Sequence, residues 1–85
     1  MDDFPRQSEG IEINRVADGF IIYQPADDRV HYLNQTAAVV FEFCNGRNSP
    51  QTIAEAVGDL FDLPQPPARE VADCLDDLSR KGLIC

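Results

Sequence analysis

Few residues of this chain have the types and spacing that chemistry at an active site requires. His31 is the only histidine, and no serine–acid or cysteine pairing that would create a nucleophile lies beside it. Cys44, Cys74 and Cys85 form no CxxC pair, whereas zinc ligands usually come in close pairs. The chain also has no glycine-rich phosphate-binding loop. The sequence therefore predicts no catalytic site, no metal site and no cofactor.

Carboxylates and thiols on the predicted helices have simpler interpretations than chemistry. Asp73, Asp76 and Asp77 diverge around a helix axis, so we interpret them as a solvated face rather than a cation site. Cys44 and Cys74 both fall on apolar helical stripes. We expect these two residues to be buried free thiols that behave as small hydrophobic side chains.

Composition and charge restrict the possible partners. The chain has 85 residues, 44% of them hydrophobic, which predicts one domain with a small core. Fifteen acidic residues against seven basic ones give a net charge of −8. This charge argues against nucleic acid, which proteins bind largely through Lys and Arg, and against an anionic membrane surface. An acidic N-terminus without an apolar segment and an odd number of cysteines predict a cytoplasmic protein.

The pattern of apolar residues predicts an α+β fold. Three strands, joined by an Asp18-Gly19 hairpin turn and a longer turn at residues 25–28, form an antiparallel meander followed by three helices. Residues 1–10 are expected to form a flexible arm and residues 11–85 the domain. The predicted strands cover residues 11–14, 20–23 and 29–33, and the predicted helices cover residues 35–44, 50–60 and 67–81.

The chain is organised around residues 31–46, where the third strand turns directly into the first helix. Asn34 is a good N-cap because its side-chain oxygen accepts from amides of the first turn. Gly46 stands where a left-handed C-terminal cap is expected. Ser49-Pro50 and Gly82 predict the start of the second helix and the end of the third.

The run Tyr-Leu-Asn-Gln-Thr-Ala-Ala at residues 32–38 resembles the Leu-Asn-x-Thr-Ala corner of the PqqD-like family. Two further pieces match in order, one at residues 45–55 and the other at residues 71–84. The resemblance implies a small winged-helix-type domain, a recognition element that binds the leader region of a ribosomally made precursor peptide. Such a domain is a non-catalytic adaptor that presents the peptide to a modifying enzyme, such as a radical S-adenosylmethionine maturase or a lasso-peptide protease.

The predicted third strand lies at the edge of the meander, where an extended peptide is able to add as a further strand. The resemblance implies that the third helix forms the opposite wall of a groove. The other flank of this helix, with Ala72, Asp76 and Ser79, is an alternative wall. The predicted peptide-binding residues are Arg29, Val30, His31, Tyr32 and Leu33 on the strand and Glu70, Cys74, Asp77 and Lys81 on the helix.

Two other classes of function are alternatives to the adaptor. The last two helices resemble a helix-turn-helix, so a winged-helix DNA-binding regulator is the alternative. However, four carboxylates on the would-be recognition helix, from Glu70 to Asp77, would repel phosphates. An acidic carrier protein would need an Asp-Ser-Leu site at a helix start, whereas this chain has Asp77-Leu78-Ser79 late in a helix.

Overall fold

The computed structural model describes residues 4–85, so the first three residues of the predicted arm lie outside the described residues. The predicted three-stranded antiparallel sheet followed by three helices is confirmed. The first strand lies slightly later than expected, and the first helix ends two residues earlier than residue 44. The elements are β1 (Glu12–Val16), β2 (Gly19–Gln24), β3 (Arg29–Asn34), α1 (Gln35–Glu42), α2 (Pro50–Leu60) and α3 (Ala68–Arg80).

The sheet has the order β1-β2-β3, and one of its two faces is covered by α1. Side chains of a strand alternate between faces, and β2 shows this directly. Phe20, Ile22 and Gln24 are buried on the inner face, towards the helices. Ile21 and Tyr23 lie partly exposed on the outer face. Only one face of the sheet is therefore part of the core.

The first hairpin forms where it was predicted, but its turn differs from the expected one. Val16 pairs with Gly19, so Ala17 and Asp18 are the two turn residues. Neither turn residue has a positive φ, so the expected left-handed Asp18-Gly19 turn is wrong. Glycine is required for a different reason, because a Cβ at Gly19 would overlap the carbonyl oxygen of Leu33 on the neighbouring strand.

Capping side chains fix the starts of the first two helices as the sequence predicted. The Asn34 side-chain oxygen accepts from the Ala37 amide at 2.9 Å. The Ser49 hydroxyl accepts from the Thr52 amide at 3.1 Å, and proline follows at the first helical position. Each cap satisfies an amide that has no partner within its helix.

Gly82 ends α3 in the predicted left-handed conformation, with φ of 74°. Its amide donates to the Ser79 carbonyl at 3.0 Å, and the Leu83 amide donates to the Leu78 carbonyl at 3.0 Å. This pair of hydrogen bonds is the Schellman motif. It turns the chain so that Leu83 returns to the core, where it is buried.

The predicted flexible arm is wrong for residues 5–8, which are held by backbone hydrogen bonds. The Gln7 amide donates to the Cys44 carbonyl at 2.9 Å, and the Ser8 amide donates to the Leu83 carbonyl at 2.9 Å. This segment thus fills the space between the end of α1 and the C-terminal segment. Such long-range pairing leaves no local signal in a polar sequence.

Gly46 has a positive φ of 81°. Contrary to the prediction, it does not cap α1. The helix ends at Glu42 and its C-cap is Phe43. The Gly46 amide instead donates to the Pro5 carbonyl at 2.8 Å. A Cβ at this position would lie 2.8 Å from the Arg6 guanidinium, so this glycine makes room for the docked N-terminal segment.

The core lies between the inner face of the sheet and the three helices. Phe41 is fully buried, and its ring packs edge-on against Phe20 with 6.4 Å between the ring centroids. Leu75 on α3 is also buried, as predicted. Gly58 is buried against the loop before α3, where a Cβ would lie 3.3 Å from the Cα of Pro66. This close packing anchors the loop that leads into α3.

The three thiols differ in exposure. Cys44 is buried, as predicted, and burial raises the pKa of its thiol to about 12. Cys74 is a free thiol but only half-buried, so the prediction that it is buried is wrong. Its position on one side of the α3 stripe, rather than in the centre, accounts for this partial exposure. Cys85 is exposed.

We expect alkylation by iodoacetamide at pH 8 to follow this order of exposure. Cys85 should react first and Cys74 more slowly, because burial also raises the pKa of Cys74 and the thiolate is the nucleophile. Cys44 should react only in denaturant. Peptide mapping by mass spectrometry gives the three rates, and native labelling of Cys44 as fast as Cys85 would contradict the fold.

Candidate functional site

The candidate site that the sequence predicts lies along the outer edge of β3, where backbone groups are exposed. In the first hairpin, Val16 and Gly19 close a two-residue turn, and such a closing pair is hydrogen-bonded. Because hydrogen-bonded and non-bonded pairs alternate, β2 uses the backbone of Phe20, Ile22 and Gln24 to bond β3. Their partners are Leu33, His31 and Arg29. The remaining β3 residues therefore point their backbone groups outward.

Val30 and Tyr32 are these outward residues, and each presents an amide and a carbonyl at the edge of the sheet. Within residues 4–85, no strand pairs with this edge, since the sheet ends at β3. Four backbone groups, two donors and two acceptors, thus form a ladder that an extended chain is able to complete. The sequence predicted the edge strand but could not say which of its residues face outward.

The side chains of β3 divide between the two faces of the sheet. Leu33 is buried in the core, His31 is half-buried and Arg29 is exposed along the inner face. Val30 and Tyr32 lie on the outer face, with 66% and 52% of their surface exposed. Leu33 therefore supports the strand from within, while the other four predicted strand residues present backbone groups or side chains to the surroundings.

The third helix stands apart from β3. No Cα atom of α3 lies within 8 Å of a Cα atom of β3, although α1 approaches both elements this closely. The two elements are thus connected through α1, which approaches both. The outward backbone groups of β3 therefore lie at an edge that α3 does not closely approach.

Four predicted helix residues share one flank of α3 and extend from its first turn to its end. Glu70 and Asp77 are exposed, whereas Cys74 and Lys81 are half-buried. The Lys81 ammonium lies 2.9 Å from the Asp77 carboxylate. Burial and the nearby Asp77 raise the pKa of the Cys74 thiol, while Lys81 opposes this shift. The flank therefore combines a partly apolar centre with charges of both signs.

The alternative flank of α3 has a different character. Ala72, Asp76 and Ser79 are all exposed, and Asp76 pairs with Arg80 at 2.6 Å on the solvent side. It carries no half-buried apolar side chain comparable to Cys74. The flank of Glu70, Cys74, Asp77 and Lys81 is thus the one of the two that carries partly buried side chains.

Gln24 is a residue that the sequence analysis missed. It is buried and sits on β2 directly beneath the site. Its side-chain oxygen lies 2.6 Å from Nε2 of His31, and its side-chain amide donates to the carbonyls of Lys81 and Gly82 at 3.1 and 3.3 Å. Since the amide group donates to carbonyls, its oxygen accepts from His31. Gln24 therefore ties β3 to the C-terminal end of α3.

Replacing Gln24 with leucine should lower the free energy of unfolding by about 1–3 kcal/mol, because the Lys81 carbonyl and His31 lose a buried partner. The exposed Gln51 on α2 offers a matched control, and Gln51→Leu should change stability by less than about 0.5 kcal/mol. Urea unfolding measures both. Equal stabilities of the two variants would show that the hydrogen bonds of Gln24 do not stabilise the fold.

The family model for Coenzyme PQQ synthesis protein D (PqqD) matches residues 19–84, which include the whole of β2, β3 and all three helices. The chain belongs to the PqqD family. A comparison with curated proteins finds no match. The matched region contains β3, α3 and Gln24, whereas β1 and the docked N-terminal segment lie outside it.

Solved structures share the fold of this PqqD-family chain. "TbiB1 in Complex with the TbiA(beta) Leader Peptide" has a TM-score of 0.78 at 16% identity, covering 93% of each chain. "Lasso peptide synthetase B1 complexed with the leader peptide" has a TM-score of 0.79 at 20% identity, covering 95% of this chain and 96% of that one. The PqqD truncation of Methylobacterium extorquens PqqCD, a stand-alone recognition element, has a TM-score of 0.71 at 26% identity, covering 98% and 89%.

The chemistry that this PqqD-family site offers is binding through backbone groups and side chains. Among residues 4–85, no three His, Cys, Asp or Glu side chains converge as metal ligands. Raised pKa values keep the thiols of Cys44 and Cys74 protonated at neutral pH, which disfavours nucleophilic attack. Every helix in the described part of the chain is too short or too polar to span a lipid bilayer.

Proposed function

We propose that this chain is a non-catalytic adaptor that binds the leader region of a ribosomally synthesised precursor peptide and presents it to a modifying enzyme. The observation that carries this proposal is the outward ladder of Val30 and Tyr32 at an edge of the sheet that no other strand of residues 4–85 occupies. Main-chain hydrogen bonds at such an edge supply affinity for an extended peptide. Side chains of the peptide that point inward would then lie between β3 and α3.

The comparisons support this function by analogy. Two of the similar structures are complexes with leader peptides, and the third is described as a functional recognition element for ribosomally synthesised and post-translationally modified peptides. Membership of the PqqD family supports the same role. The raised pKa values of the Cys44 and Cys74 thiols, which disfavour nucleophilic attack, fit recognition better than catalysis.

Within this proposal, the leader adds as a fourth strand beside Arg29–Asn34. Its inward side chains contact the flank of α3 that bears Glu70, Cys74, Asp77 and Lys81. The half-buried Cys74 favours an apolar anchor near the middle of the flank. The exposed carboxylate of Glu70 favours a basic leader residue near the start of α3, because opposite charges attract across such a rim.

The enzyme that receives the peptide is proposed to be a radical S-adenosylmethionine maturase or a lasso-peptide protease. An adaptor that gripped the reacting segment would hide it from that enzyme, so the leader rather than the modified core should carry the affinity. We propose neither nucleic acid nor a membrane as a partner. The carboxylates along α3, including Asp73 and Asp76, would repel a phosphate backbone.

The test is fluorescence anisotropy with three probes at moderate salt. The first probe is the synthetic leader of a short precursor peptide whose gene lies next to the gene for this chain. The second is the core segment of the same precursor, and the third is a labelled DNA duplex. We expect saturable binding of the leader and little binding of the core segment. Binding of DNA without binding of the leader would overturn the adaptor and favour the winged-helix regulator.

A further inference from the structure

The outer face of the sheet is apolar at its centre, and no other element of the described chain covers it. Ile21 pairs with Tyr32 and Tyr23 pairs with Val30, so these four side chains lie together on the face away from α1. Val16 extends the face on β1, with 39% of its surface exposed. Exposed apolar side chains that adjoin one another in this way indicate an interaction surface.

Acidic groups surround this apolar face. Glu12 lies directly across from Tyr23 on the same face. Asp28 accepts a hydrogen bond from the Tyr23 hydroxyl at 3.1 Å, and Asp18 accepts one through its carbonyl from the Tyr32 hydroxyl at 3.4 Å. No Lys or Arg side chain of the three strands points to this face, because Arg15 and Arg29 alternate to the inner side.

We propose that this outer face is the docking surface for the modifying enzyme, which presents an apolar patch bordered by Lys and Arg. This inference rests on the proposed function, since an adaptor needs a second surface that holds the enzyme while the first holds the leader. A second copy of this chain is a poor partner, because the acidic rims of the two copies would face and repel each other. Charge complementarity therefore selects a basic protein partner.

The position of the face relative to the leader supports the same occupant. A strand added beside β3 continues the sheet, and every second side chain of the added strand lies on the outer face. The enzyme would then contact the adaptor and the bound leader as one continuous surface. An enzyme docked there would distinguish the loaded adaptor from the empty one.

The experiment uses variants on β1 and β2, which take no part in the proposed leader ladder. Ile21→Thr removes apolar surface from the centre, and Glu12→Lys reverses a charge on the rim. Glu55→Lys on α2 is the matched control, since Glu55 is exposed and belongs to a helix, away from the outer face. Thermal unfolding of each variant verifies that it is folded.

Surface plasmon resonance measures binding of the leader-loaded chain to the purified radical S-adenosylmethionine enzyme or protease encoded in the same gene cluster. We expect Ile21→Thr to weaken binding about tenfold, as for loss of an apolar anchor. Glu12→Lys should slow association severalfold and reduce its dependence on salt. Glu55→Lys should bind like the original chain.

Leader binding is measured in parallel so that two failures remain distinguishable. If the leader does not bind any variant or the original chain, the proposed function fails. If the leader binds normally but the enzyme does not bind, or binds all variants equally, the docking surface is wrong. A dimer in sedimentation that Ile21→Thr dissociates would also overturn the proposal, because the face would then be an interface between copies.

Discussion

Replacing Phe41 with alanine is expected to lower the free energy of unfolding by about 3–5 kcal/mol. Phe41 is fully buried, and its ring contacts Phe20 edge-on, so the change removes apolar burial and leaves a cavity at the centre of the core. A domain of this size has a total stability of roughly 5–15 kcal/mol. The variant should therefore unfold roughly 15–30 °C below the original chain.

Circular dichroism during heating provides the measurement. Thr36→Ala is a suitable control because Thr36 is exposed on the same helix, and its change should shift stability by less than about 0.5 kcal/mol. If Phe41→Ala melted at the same temperature as the control, the helix α1 would not pack on the sheet as described. The floor of the proposed groove would then be misplaced as well.

Replacing Tyr32 with proline is expected to weaken leader binding about tenfold, which corresponds to the loss of one hydrogen bond. Proline removes the outward amide, and its ring occupies the place where the leader backbone approaches. Because this amide bonds nothing on β2, the strand itself should tolerate the change. Tyr32→Ala, which keeps the amide, should have a smaller effect on leader binding.

The opposite edge of the sheet offers a matched control for proline. On β1, Ile13 lies between the hydrogen-bonded positions Glu12 and Asn14, so its amide also points outward. Ile13→Pro should leave the affinity for the leader unchanged in fluorescence anisotropy. If this change weakened binding as much as Tyr32→Pro, the leader would add to β1 and the proposed site would be on the wrong edge.

Local signals in the sequence predicted the elements and most of their ends. Asn34, Ser49 and Gly82 act within one turn of their own helices, so their types and positions were sufficient. The hairpin was placed correctly, but the role of Gly19 was not. A side chain at Gly19 would overlap the Leu33 carbonyl on the neighbouring strand. Only the assembled sheet reveals this contact.

The candidate site could be predicted only in outline, because its details depend on contacts between distant segments. An edge strand followed from the order of three hairpin-connected strands, but the outward direction of Val30 and Tyr32 required the register. Gln24 looked like an ordinary polar residue before a turn. Its hydrogen bonds reach residues 57 and 58 positions away, and no local pattern reports such a pairing. The docked segment at residues 5–8 was missed for the same reason.

Amide hydrogen exchange of the free and leader-bound chain tests the central claim most directly. In the free chain, the amides of Val30 and Tyr32 point to solvent and should exchange rapidly. Addition of the leader should protect both amides strongly, while Ile13 and Arg15 on the opposite edge stay unchanged. Saturating leader that leaves Val30 and Tyr32 unprotected, or protects the β1 amides instead, would contradict strand addition at β3.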